Sequence, residues 1–184
     1  MTLNDKKGIT LIEVVIVLAI IAILALASLT AVGPGFIRNE NISRVSRELL
    51  GDLQRARQDA MTRSEAPDSR GFGIRFASNT SYVIFEFSDI NTNFQYDGTG
   101  EEANTNQRNL TSSIEYQING ANPNNNILVY DKLGIPRRDT WGMWTSITFV
   151  VRHQSDNSVQ AKCVSVSTNR IREGLWDGST CQEQ

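Results

Sequence analysis

A handful of polar side chains would have to carry any chemistry in this chain. Glu13 is the only charged residue between Ile9 and Val32, a run of 24 residues. A carboxylate in so apolar a helix costs about 2.5–3.5 kcal/mol near the centre of a bilayer and less near its edge, so it calls for a positive partner. Asp89, Asn91, Asn93 and Asp97 place oxygen side chains at positions one, three, five and nine of a thirteen-residue run that ends at Glu101. A loop with oxygens at every second residue can wrap a calcium ion. Phe94 stands where such a loop turns on glycine, and Glu101 falls one place late for the bidentate acid. A calcium loop and a plain polar turn both stay open. Arg170 and Arg172, if extended, share a face while Ile171 turns inward. Two exposed guanidiniums on one face can grip successive phosphates, and a solvated strand face is the alternative. Cys163 and Cys181 are the only cysteines. They form either a disulfide, worth about 3 kcal/mol by the chain-entropy model, or a pair of free thiols. His153 is the only histidine and lies beside Ser155 and Asp156. Adjacency in sequence is not triad geometry. With no G-x-S-x-G, H-E-x-x-H or phosphate loop, catalysis has no support.

These groups sit in a chain of 184 residues with 18 basic and 20 acidic side chains, a net charge of −2 and a pI near 5.5. That excludes a generally basic nucleic-acid binder. Apolar residues at 40% and charged residues at 21% exclude a disordered chain. Mean hydropathy is −0.29 despite one very apolar end, so the remainder is polar. As a helix, Ile9 to Val32 measures about 36 Å against a hydrocarbon core of about 30 Å. Lys6 and Lys7 precede it and no basic residue follows before Arg38. The positive-inside rule puts the N-terminus in the cytoplasm and the bulk of the chain outside. Ala25-Leu26-Ala27 would suit a signal peptidase, but Glu13 argues for a helix retained in the mature protein. An exported domain meets an oxidising compartment, which favours the disulfide.

Gly33-Pro34-Gly35 predicts a kink or a short melted segment. Beyond it Ile42, Val45, Leu49, Leu53, Ala56 and Ala60 recur at spacings of three and four, with Arg44, Arg47, Asp52, Arg55 and Asp59 on other faces. This is an amphipathic helix whose stripe must cover a sheet. Glu65-Ala66-Pro67-Asp68 ends it. Strands are expected at Gly71–Phe76, Tyr82–Phe87, Ile114–Ile118, Ile127–Tyr130, Ile147–Val151 and Val159–Val166. The Asn-rich stretches Asn104–Asn109 and Asn122–Asn126 read as surface loops. A helix followed by a run of strands gives α+β with an antiparallel sheet.

The run Lys6-Lys7-Gly8-Ile9-Thr10-Leu11-Ile12-Glu13 and its apolar continuation resemble the N-terminus of type IV pilins and type II secretion pseudopilins. The resemblance implies a leader of residues 1–8, cut by a prepilin peptidase between Gly8 and Ile9, and N-methylation of Ile9. Glu13 would meet the N-terminal amine of a neighbouring subunit and set the register of assembly. Ile9 departs from the phenylalanine of most members, although the position mainly needs an apolar side chain. Leu49-Leu50-Gly51-Asp52-Leu53-Gln54-Arg55-Ala56-Arg57-Gln58-Asp59-Ala60 is similar to the L-L-x-D-L-Q-x-A-R-x-x-A segment of the minor subunits called GspH and FimT. The Asp89 loop looks like a degraded form of their D-x-N-x-D-G-x-x-D-x-G-E run. Asn169-Arg170-Ile171-Arg172 resembles the glycine-arginine-x-arginine of FimT-like pilins that bind DNA, with Asn169 in the glycine's place. Glu173, Asp177 and the acidic balance weigh against strong DNA binding here.

The resemblance implies a pilin-like α+β fold. A long N-terminal helix, transmembrane over 9–35 and amphipathic over 36–66, would pack on an antiparallel β-rich domain over 67–184. The implied function is that of a minor pilin or pseudopilin, a structural subunit that joins or primes a type IV pilus or a type II secretion pseudopilus. DNA uptake in natural transformation is the alternative. No enzyme activity is implied, and no cofactor unless calcium binds the Asp89 loop. The implied partners are other subunits, the prepilin peptidase and the inner-membrane assembly machinery. The implied location is the bacterial inner membrane, with the C-terminal domain in the periplasm and later in the filament.

Overall fold

A computed structural model describes residues 10–31, 34–63, 69–110, 113–119 and 126–183. The chain divides into two compact units, Met1–Ile37 and Arg38–Gln184. In the first, helix α1 spans Leu11–Ala31. Its side chains from Leu11 to Leu26 are exposed, and apolar residues surround the axis instead of forming one stripe. A helix of this kind buries itself in lipid or among other helices. Among the described residues no helix is long and apolar enough to cross a membrane. The expected span from Ile9 to Val32 lies partly outside them, as do the leader, Gly8, Ile9, Gly33 and the terminator Glu65 to Asp68. Helix α2 spans Pro34–Arg63. Pro34 is its first residue, where a missing N–H is harmless and the fixed φ is already helical.

The second unit closes α2 against two antiparallel sheets. One contains β1 (Ser69–Ser78), β2 (Ser81–Ser88), β3 (Glu102–Asn109), β5 (Ile127–Asp131) and β6 (Pro136–Arg137), in the order β3-β2-β1-β5-β6. The other contains β4 (Ile114–Asn119), β7 (Ser146–His153), β8 (Lys162–Ser167), β9 (Ile171–Trp176) and β10 (Cys181–Glu183), in the order β10-β9-β8-β7-β4. The expectation of one sheet is corrected to two. All six residues of the α2 stripe are 2% exposed or less. They share one core with Ile74, Tyr82 and Leu128 from the first sheet and Ile147, Val151 and Val164 from the second. Aromatic contacts join the sheets: Phe76 of β1 stacks on Phe149 of β7 at 4.9 Å and meets Tyr116 of β4 edge-on at 5.2 Å. Glycine sets the spacing of β1 and β5, since a Cβ on Gly71 would lie 1.8 Å from the Tyr130 carbonyl oxygen.

The opposite face of the first sheet carries a smaller apolar cluster of Phe85, Phe87, Ile127 and Val129, covered by Tyr96 and Trp141. The loop after β2 is therefore a lid on that face. Three sequence expectations need correction. Asn104–Asn109 is not a loop but most of β3, an edge strand with its polar side chains in solvent. The strand expected at Val159–Val166 begins only at Lys162, although Val159 is buried in the core. Asp52 does not face solvent: it is 7% exposed. Of Asn122–Asn126 only Asn126 is described; it lies just before β5, and its carbonyl accepts the Phe76 N–H of β1 at 3.0 Å.

Leu53 occupies the middle of the shared core, so Leu53→Ala should lower unfolding free energy by about 2–5 kcal/mol. Arg55→Ala, on the exposed face, should stay within about 0.5 kcal/mol. Denaturant titration of the full chain in detergent measures both.

Candidate functional site

Thr10 and Glu13 open α1. The Glu13 N–H donates to Thr10 Oγ1 at 3.3 Å and to the Thr10 carbonyl at 3.1 Å, so Thr10 caps the helix. The Glu13 carboxylate lies in the first helical turn, where the helix dipole favours negative charge. It has no ion-pair partner among the described residues. Gly8 and Ile9, the other two residues of the expected processing site, lie outside them.

The conspicuous segment of α2 acquires a structural meaning that its pattern did not disclose. Leu49, Leu53, Ala56 and Ala60 are core, whereas Asp52 accepts the Tyr82 hydroxyl at 2.7 Å and Arg108 Nε at 3.4 Å. Burial, then the charges and hydrogen bonds of Tyr116 and Asp52, push the Tyr82 pKa far above the ordinary tyrosine value. Tyr82 thus remains a donor. Arg57 donates to the carbonyls of Asn169 and Thr168 at 3.2 and 3.3 Å and holds the turn that leads into β9. The helix therefore carries a polar tie to each sheet, one on either flank of its apolar stripe.

In the Asp89 loop the predicted ligands come together, but their acceptors are largely engaged by the loop itself. Asp89 is fully buried and accepts Arg70 Nε at 2.9 Å and the N–H groups of Asn93 and Phe94 at 3.1 and 3.3 Å. Asn91 and Asn93 both donate their amides to Asp97 at 2.7 Å. Glu101 accepts the Asp97 N–H at 2.8 Å. Among the described residues no group of three or more His, Cys, Asp or Glu side chains is placed to hold a metal ion. Phe94 has φ 58°, the left-handed turn that glycine normally supplies. Its ring lies 4.5 Å from the Arg70 guanidinium and 6.3 Å from Trp141. Beneath the loop Glu102 binds Arg75 by two hydrogen bonds of 2.5 and 3.1 Å and accepts the Tyr96 hydroxyl at 2.5 Å.

Arg170 and Arg172 share a face, as their spacing predicts, and both converge on Glu183 of β10. Sequence reasoning missed Glu183, because only the strand order brings it there. Cys163 and Cys181 are joined in a disulfide with 5.9 Å between Cα atoms, which ties β8 to β10. Gly174 lets β10 lie close, since a Cβ there would meet the Gln182 carbonyl oxygen at 2.3 Å. The turn into β10 is held by Asp177, whose pKa falls far below the carboxylate range because the Thr180 N–H, Gln182, the Thr180 hydroxyl and the Ser179 N–H donate to it. His153 Nδ1 accepts the Ser155 N–H at 3.3 Å, while Asp156 is taken by Ser158 and Arg38. The three do not form a relay.

The prokaryotic N-terminal methylation motif matches residues 3–29. No curated protein matches the chain. Among solved structures, the minor pseudopilin EpsH from the Type 2 Secretion System of Vibrio cholerae is similar, with a TM-score of 0.51 and 13% identity over 73% of this chain and 97% of that one. At that identity the likeness is one of fold. This chain thus joins a prokaryotic N-terminal methylation motif to an α+β fold like that of a minor pseudopilin.

Glu102 supplies a pH test. Burial opposes its charge, but the hydrogen bonds from Arg75 and Tyr96 outweigh burial and hold its pKa below the ordinary carboxylate value. A depressed folded pKa gives stability that is complete above the unfolded value of about 4.3 and is lost as pH falls through the folded one. Glu102→Gln should therefore be less stable at neutral pH and lose less on acidification, as read by denaturation midpoints across that range.

Proposed function

We propose that this chain is a minor pilin or pseudopilin, a membrane-anchored structural subunit without catalytic activity that joins or primes a type IV pilus or a type II secretion pseudopilus. The observation that carries the reading is a methylation motif over residues 3–29 that runs into an apolar helix exposed all round, in a chain whose folded domain has a minor-pseudopilin architecture. A prepilin peptidase cuts between Gly8 and Ile9 and methylates the new amine. The helix α1 anchors the chain in the inner membrane with its domain in the periplasm. On assembly Glu13 meets the Ile9 amine of the next subunit, which fixes the axial offset, and the assembly machinery draws both from the membrane. The GspH/FimT-like segment of α2 supports a minor role, because Asp52 and Arg57 within it do the specific work of joining the helix to both sheets. DNA uptake is the weaker reading, because Glu183 already pairs with both Arg170 and Arg172 and offsets part of their charge.

In cells that make a prepilin peptidase, N-terminal sequencing of the membrane-bound chain should begin at methylated Ile9. Gly8→Val should leave it unprocessed. Glu13→Ala should be processed yet fall roughly a hundredfold in the filament fraction, the equivalent of ~3 kcal/mol for an uncompensated charge. A mature chain beginning at Ser28 would overturn the reading. Salt-sensitive DNA binding that disappears in the Arg170→Ala, Arg172→Ala double variant would favour uptake instead.

The proposed subunit works without a cofactor. Calcium at millimolar concentration should leave the melting temperature unchanged. A rise that Asp89→Asn abolishes would restore Asp89, Asn91, Asn93, Asp97 and Glu101 as ligands.

A further inference from the structure

Strands β7, β8 and β9 turn one face toward α2 and the other away from it. In-register partners point to the same side, so Val150, Cys163, Gly174 and Glu183 share a face. It is the outer face, because Phe149, Val151 and Val164, their neighbours in the chain, belong to the core. Val150 and Cys163 are nevertheless 1% and 0% exposed, and neither belongs to either apolar cluster. What lies over Cys163 is the C-terminal strand. A flat continuation of the sheet would place β10 two strand spacings from β8, about 9–10 Å. The Cα atoms of Cys163 and Cys181 are 5.9 Å apart, so β10 rolls back over the outer face. Gly174 admits it, since a Cβ there would lie 3.1 Å from Cys181 Sγ. The turn over residues 177–180 follows the same path: the Asn119 amide of β4, the far edge strand, donates to the Ser179 carbonyl at 3.4 Å.

The disulfide is the main hold on this strap. Strand β10 has three residues, pairs only with β9, and leaves Gln182 and Glu183 exposed. So short an edge strand has too few contacts to stay in place alone. The bonds of Asp177 to Ser179, Thr180 and Gln182 shape the turn without tying it to β8. The ion pairs of Glu183 with Arg170 and Arg172 lie at the surface, where such pairs are weak. The two sulfurs are unequally placed, Cys163 fully buried and Cys181 partly exposed. A thiolate arriving from solvent therefore meets Cys181 first. We propose that β10 is a strap latched by thiol–disulfide exchange, with Cys181 as the sulfur that meets the exchange partner, a dithiol or its disulfide. In opening, a partner thiolate attacks the Cys181 sulfur. The Cys163–Cys181 bond breaks, and its electron pair goes to Cys163, which takes a proton. The partner's second thiolate then displaces Cys181 as a thiol, and the partner leaves as a disulfide. Closure is the reverse, with the two cysteines oxidised and the partner reduced. The latch sets the charge of the outer face. Arg152 there is paired with Glu115 at 2.6 Å. Glu183 is the one carboxylate paired with Arg170 and Arg172 among the described residues. With the strap open, both guanidiniums stand without it.

Thiol labelling of the full chain in detergent tests the latch. In Cys181→Ser, Cys163 should react with a maleimide within about tenfold of the unfolded-chain rate, because nothing then holds β10 over it. Val164→Cys, in a chain with both native cysteines changed to serine, puts a thiol one residue away on the core face. It should stay protected about a hundredfold or more. Protection of Cys163 equal to that at position 164 would mean a strap that needs no latch. Labelling at position 164 as fast as at Cys163 would mean general unfolding, and either result overturns the proposal. In the unsubstituted chain, a glutathione adduct trapped by acid should sit on Cys181. An adduct on Cys163 would overturn the order of exchange, and a bond that neither glutathione nor dithiothreitol opens in the folded chain would overturn the latch. Reduction should also speed phenylglyoxal modification of Arg170 and Arg172 about fivefold, the weight of a surface ion pair, and leave Arg152 unchanged. Equal rates before and after reduction would deny the strap its hold on the charge of the face.

Discussion

The apolar stripe of α2 is buried by two sheets at once, and the architecture of the domain follows from that burial. Six side chains at helical spacing form the floor on which β1, β2 and β5 lie on one side and β7 and β8 on the other. A hydrophobic stripe alone fixes neither rotation nor slide, because apolar contact is not directional. Two polar ties supply the missing specification. Asp52 accepts the Tyr82 hydroxyl of the first sheet, and Arg57 reaches the carbonyls of Thr168 and Asn169 ahead of β9 in the second. Within this frame the aromatic contacts of Phe76 with Tyr116 and Phe149 bring the sheets together.

What the sequence disclosed depended on whether a residue's role was periodic or tertiary. The stripe from Ile42 to Ala60 was legible in full because burial on one helix face imposes its spacing. The strands that alternate β-branched and aromatic residues were legible to within a few positions. Strand β3 was not, because an edge strand in solvent carries no apolar alternation and its asparagines read as turn formers. Strands β6 and β10 are too short for a pattern, and β9 mixes Arg, Glu and Gly. Asp52 looked like a surface charge, since nothing local announces a partner thirty residues away. The oxygen spacing from Asp89 to Glu101 was visible, but it did not disclose that the loop's own N–H and amide groups, together with the distant Arg70, engage those oxygens. The same holds for Arg170 and Arg172: their common face was readable, and Glu183 across the strand pair was not.

The two units ask for different solvents. Helix α1 exposes leucine, isoleucine and valine on every side, while the domain after Arg38 hides its apolar residues in two clusters and turns charge and amide outward. One chain can satisfy both only at a boundary between lipid and water, or where the helices of several chains form their own apolar interior. The disulfide between Cys163 and Cys181 is the kind of bond that persists in oxidising compartments.

The left-handed backbone at Phe94 has a bearing on any attempt to improve the molecule. Glycine there would relax a torsion that an aromatic residue tolerates at a penalty of about 1–2 kcal/mol. It would also erase the ring that rests on Arg70 and reaches toward Trp141. The exchange would set relief of backbone strain against the loss of a cation–π and an aromatic contact. Backbone ease and side-chain contact are thus set against each other at a single torsion angle.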